Sequence, residues 1–176
     1  MDARAILEQA VAELPPPATA QHQQAVQFSP DFVTFVKSLE NERRAFYEPE
    51  ASVDGGAETI GYGHKIKRGE NFGRITEREA ARLLLQDLAT ARQAVDAYIK
   101  DVYGVQVQLS QKQAEMLTEF AFNLGSLNKF PKFTDAVLRE DWTKAAKEYR
   151  RSYVNASGVR LPLEGRNRKF AARYGF

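Results

Sequence analysis

The sequence predicts an α+β fold that is mostly α, for three reasons. Strand-type residues and turn glycines are confined to one short region, roughly 44–63. Apolar positions at helical spacing run for almost thirty residues from Thr76, a helix long enough to link two lobes. The chain has 176 residues, 43% of them hydrophobic and 27% charged, which suits one well-buried core and a small second lobe.

The elements follow in order. Residues 2–14 have a weak helical period (Ile6, Ala10, Leu14), ended by Pro15-Pro16-Pro17. The Gln-rich stretch after them makes 1–27 an N-terminal extension, and the compact domain is expected to span 28–176. Ser29-Pro30 starts a helix, a hydroxyl cap followed by Pro at the first helical position. Phe32, Val33, Val36 and Leu39 give that helix an apolar face, and Glu40 stands at its C-terminal end. Phe46, Tyr47, Val53, Gly55-Gly56, Thr59-Ile60 and Gly61-Tyr62-Gly63 read as a twisted hairpin or three-stranded sheet. Thr76 and Glu79 form a capping box for the long helix, and Ser110 with Gln113 forms a second for a helix closed by Gly125. Asp141 caps a helix starting at Trp142, and the last helix, roughly Leu163 to Tyr174, ends at Gly175.

Composition narrows the chemistry. There is no cysteine, so disulfides and thiolate metal sites are excluded. With two histidines besides, no dedicated metal site is expected. No apolar run approaches a membrane span, and MDARAILEQAVAEL lacks the pattern of a signal peptide. The net charge is +2, but residues 143–176 carry +7, leaving −5 for the rest. A basic tail fits a polyanionic partner, nucleic acid or cell wall, or simply a solvated helix face.

Glu40 is the candidate general acid. A carboxyl at a helix C-terminus meets the negative end of the macrodipole, which disfavours its ionised form. Burial against Phe and Tyr side chains acts in the same direction. Glu42, flanked by Arg43 and Arg44, reads as a solvated carboxylate. Asp54, beside Gly55-Gly56, is the candidate second carboxylate, with Thr59 able to hold the same water; on local chemistry alone Asp54 is equally a turn former. Two carboxyl groups in unlike surroundings are what glycosidic cleavage needs.

Glu40, Tyr47 seven residues later, and Gly56-Ala57-Glu58-Thr59-Ile60-Gly61-Tyr62-Gly63-His64 together resemble the phage-type lysozymes, or endolysins, of glycoside hydrolase family 24. Thr76 to Asp87, Phe122-Asn123-Leu124-Gly125 and Glu164-Gly165-Arg166-Asn167-Arg168-Lys169 extend the likeness over 28–176. The resemblance implies a lysozyme-like two-lobed fold, with a small β lobe and a helical lobe joined by a long helix. It also implies an inverting reaction with Glu40 as acid; that Asp54, beside Gly55-Gly56 on the Thr59 side of the hairpin, places the water with Thr59 is an expectation from position in the hairpin, not from the motif. The family's aspartate usually lies two residues after the Tyr, where this chain has Pro49, and the hairpin is about four residues longer than usual. Asp54 or Glu50 must therefore supply it. His64 is expected to pair with Asp87, a structural role. Tyr62, Asn123 and Arg166 are expected at the substrate, Asn123 on acetamido groups and Arg166 on peptide carboxylates.

The resemblance implies a muramidase acting on bacterial peptidoglycan, and the chain is expected to need no cofactor, to have no nucleic-acid partner or integral membrane segment, and to be a monomer. The expected setting is phage-induced lysis, the protein residing in the host cytoplasm before release to the wall or being carried in a virion. A lytic transglycosylase, in which one acid suffices, and a non-catalytic wall-binding virion protein on the same fold are the alternatives.

Overall fold

The computed structural model describes residues 28–40, 47–49, 58–155 and 157–176. The extension 1–27, Glu50 and Asp54 lie outside them. The described chain is mostly helical, with two small antiparallel hairpins, and falls into two compact units. One unit takes residues 28–88 and 150–175; the other contains 89–149.

The first unit opens with α1, Pro30–Glu40. Ser29 Oγ accepts from the Phe32 amide at 3.1 Å, Pro30 has no N–H that would need an acceptor, and Phe32 and Val36 are buried. The first hairpin pairs β1 (Thr59–Ile60) with β2 (His64–Lys65), Thr59 opposite Lys65 and Ile60 opposite His64. Gly61-Tyr62-Gly63, read above with the strands, is instead the turn. Gly61 and Gly63 have φ of +60° and +86°, which no strand adopts, so the second strand begins only at His64.

The helix α2, Glu77–Tyr103, starts in this unit and carries the chain into the other. Its capping box is formed: Glu79 accepts from the Thr76 amide at 2.8 Å, and Thr76 Oγ1 accepts from the Glu79 amide at 3.3 Å. The second unit then holds α3 (Gln111–Leu124), α4 (Pro131–Leu138) and α5 (Trp142–Glu148). α3 is its central helix, buried from Gln113 through Ala121, with the Ser110–Gln113 box at one end and left-handed Gly125 at the other. Phe120 stacks on Phe133 of α4 at 4.0 Å, and Gln113 Nε2 donates to the carbonyls of Val137 and Leu138, closing the end of α4. Asp141 accepts from the Lys144 amide at the start of α5.

Two elements correct the sequence expectation. α4 was not anticipated, because eight residues give little periodicity; Pro131 at its first turn was the available signal. Strands are also not confined to one region. A second hairpin in the first unit pairs β3 (Ser152–Val154) with β4 (Arg160–Pro162), and Asn155 Oδ1 organises its turn by accepting from the Ser157 and Val159 amides. It leads into α6, Glu164–Tyr174. Asn167 clamps the base of the hairpin, accepting from the Arg151 amide and donating to the Arg151 carbonyl.

Candidate active site

The candidate site is built where the end of α1, the β1–β2 turn and the first turn of α6 converge in the first unit. Glu40 is the last residue of α1. Its Oε1 accepts from Arg166 Nη2, and the two side chains are only 15% and 10% exposed, respectively. Oε2 lies against the β1–β2 turn, where a Cβ placed on Gly63 would stand 3.3 Å from it. Glycine at 63 therefore does two things: it takes the left-handed turn and it leaves room for the carboxylate. Arg166, expected on substrate peptides, sets its guanidinium against the candidate acid, 126 residues away in sequence.

Each residue of Gly61-Tyr62-Gly63-His64 has a separate physical task. Gly61 presses on α2, where a Cβ would come within 3.1 Å of Ala80 Cβ. Tyr62 is turned into the fold. It is 6% exposed, its hydroxyl donates to Glu77 Oε1 at 2.6 Å, and burial together with that carboxylate pushes its acidity far down. Lys37 of α1 donates to the same Glu77 oxygen at 2.9 Å and lies 5.0 Å from the Tyr62 ring centroid. Burial raises the Glu77 carboxyl, but hydrogen bonds from Tyr62 and Lys37 outweigh it and hold the group below its ordinary value. Tyr62, expected at the substrate, donates its hydroxyl to Glu77 in this knot between α1 and α2.

His64 is buried, with Nδ1 2.8 Å from Asp87 Oδ2 and Nε2 3.1 Å from Glu70 Oε2. Its ring meets Phe72 edge-on. Glu70, absent from the sequence reading, also accepts from the Lys67 amide. That backbone hydrogen bond first, then the His64 contact, lowers its carboxyl pKa.

Thr59 is buried at the start of β1, and Asn123 is half-buried in the last turn of α3, in the other unit. Thus the structure brings together Glu40 with Arg166 and His64 with Asp87. Lys37, Glu70 and Glu77 are the supporting residues that sequence reasoning missed, and Gly63, quoted there within the motif, gains its role beside Glu40 only from the structure. Among the described residues no group of three or more His, Cys, Asp or Glu is arranged to hold a metal ion.

The sequence profile described as phage lysozyme matches residues 37–170, a span running from α1 into α6. The chain belongs to the phage lysozyme family. A member of this family is a glycoside hydrolase, with bacterial peptidoglycan as its substrate. No curated protein matches the sequence. Among solved structures the chain is similar to the muramidase domain of SpmX from Asticaccaulis excentricus, at 25% identity over 85% of this chain and 95% of that one, with a TM-score of 0.62. It is also similar to the endolysin from Escherichia coli O157:H7 phage FAHEc1, at 19% identity, 87% and 94% coverage and a TM-score of 0.63. The P1 phage endolysin Lyz in its active form shares 16% identity over 99% of this chain and 92% of that chain, with a TM-score of 0.59. The two endolysins support the lysozyme-like fold alone. No described helix is long and apolar enough to cross a membrane.

Proposed function

We propose that this family member is a muramidase cleaving the β-1,4 bond between N-acetylmuramic acid and N-acetylglucosamine, with Glu40 as general acid. The observation that carries the reading is the setting of Glu40. It sits at a helix end, mostly buried, with one oxygen held by Arg166 and the other set against Gly63. A carboxyl with both oxygens located is pre-oriented to deliver a proton to a leaving glycosidic oxygen. The helix end disfavours its charged form and the guanidinium favours it.

Asp54, with Thr59, places the attacking water; Glu50 is the alternative carboxylate. Inversion requires about 6.5–9.5 Å between the two carboxyl groups, room enough for that water. Asn123 binds acetamido groups, while Arg166 serves Glu40 first and wall peptides second. The His64–Asp87 pair holds the β hairpin to α2. The protein acts as a monomer in phage-induced lysis, from the host cytoplasm or from a virion. One observation favours a second reading: Pro49 stands where the family's aspartate is usual, which suits a lytic transglycosylase needing a single acid.

Purified peptidoglycan digested by wild type, Asp54→Asn and Glu50→Gln separates these readings. Wild type should release reducing N-acetylmuramic ends, Asp54→Asn almost none, and Glu50→Gln nearly as many as wild type. The reverse pattern transfers the role to Glu50. Anhydro-muramic ends from all three establish the transglycosylase.

A further inference from the structure

α6 runs antiparallel along α1, and three of its basic residues meet that helix in register. Arg166 holds Glu40, Lys169 Nζ donates to the Ser38 carbonyl at 2.7 Å, and Arg173 Nη1 donates to the Asp31 carbonyl at 3.4 Å. The spacings of three and four put all three on one face of α6. Arg173 is anchored further by the Phe32 and Phe35 rings, 5.8 and 5.0 Å from its guanidinium carbon.

The Ser38 contact is the one with a consequence for chemistry. Ser38 lies in the last described turn of α1, and an ammonium on its carbonyl opposes the negative end of the helix dipole. Glu40 follows two residues later. On the same last turn, Lys37 is tied to Glu77, so the turn is pinned from α6 and from α2 at once.

We propose that Lys169 is a positioning residue for the hydrolase reaction: by anchoring the last turn of α1 at Ser38, it fixes the point from which Glu40 enters the site. The inference rests on the reading of Glu40 as the acid. It differs from a stability role because the anchored carbonyl lies in the same helical turn as the carboxyl. A carboxyl displaced by about 1 Å can cost on the order of a hundredfold in rate. Loss of one of two anchors on the turn is expected to give part of that displacement.

The test compares Lys169→Met, Lys169→Gln and Lys169→Arg with wild type on soluble glycan oligomers, well below every variant's melting temperature and per folded molecule by circular dichroism. Lys169→Met should lower kcat by about tenfold while KM stays within about twofold. Lys169→Gln, which keeps a donor but no charge, should fall between Met and wild type. Lys169→Arg should recover most of the wild-type kcat. A lowered melting temperature with unchanged kcat in both Lys169→Met and Lys169→Gln would overturn the inference, as would an Arg variant no better than Met. Glu40→Gln is assayed alongside. If it remains active, the reading of Glu40 has failed; if it is inactive while Lys169→Met keeps full kcat, only the positioning role has failed.

Discussion

Gly63→Ala and Gly69→Ala form a matched pair that isolates the contact between the β1–β2 turn and Glu40. Both glycines have a left-handed backbone, φ +86° at 63 and +92° at 69. An alanine at either position incurs about 1–2 kcal/mol of backbone strain. For a chain of this size that corresponds to a melting temperature lower by roughly 2–8 °C. The surroundings differ: nothing lies within 4 Å of a Cβ at 69, whereas a Cβ at 63 meets Glu40 Oε2 at 3.3 Å. The carboxylate must then yield by a few tenths of an ångström. If about 1 Å of misplacement costs about a hundredfold, about 0.3 Å corresponds to roughly fourfold in kcat. Turnover of soluble glycan oligomers per folded molecule should therefore drop about fourfold in Gly63→Ala and stay at wild type in Gly69→Ala, with similar melting temperatures. Equal kcat in the two variants would refute the reasoning, because the oxygen beside Gly63 would then have no part in the chemistry.

His64→Ala should lower the melting temperature more than it lowers turnover, and a double-mutant cycle with Asp87→Asn should show coupling of at least about 0.5 kcal/mol; additive effects would dissolve the pair. Glu70 gives a pH prediction. Its carboxyl is held below its unfolded value by the Lys67 amide and by His64, so it stabilises the fold above the unfolded pKa and loses that contribution as pH falls through the folded one. The stability gap between wild type and Glu70→Gln in urea should be present at pH 7 and shrink below about pH 4. A gap equal at pH 7 and pH 3 contradicts the assignment.

What the sequence makes legible here is local. Ser29, the Thr76–Glu79 and Ser110–Gln113 boxes, Asp141 and Gly125 announce helix ends because their hydrogen bonds close within a few residues. Short elements escape the same reading. β3 and β4 have three residues each, too few for alternation, although Asn155-Ala-Ser-Gly158 carried a turn signal. The site divides similarly. Glu40 is nameable from its place at a helix end and from family spacing. Its partner Arg166 and the Lys169–Ser38 contact, 126 and 131 residues apart, depend on how α6 packs on α1. Tyr62 shows the same limit: the resemblance places it at the substrate, and only packing shows its hydroxyl donating to Glu77.

The central claim is that Glu40 donates the proton that breaks the glycosidic bond, and Glu40→Gln tests it most directly. The amide keeps the shape of the side chain and an acceptor for Arg166 but has no acidic proton to give. Release of new muramic acid ends from purified peptidoglycan should fall by well over the ~100-fold typical of general acid–base catalysis, with the circular dichroism spectrum unchanged. A correctly folded Glu40→Gln that still releases those ends at more than roughly a tenth of the wild-type rate, against that expected loss, would remove Glu40 from the mechanism.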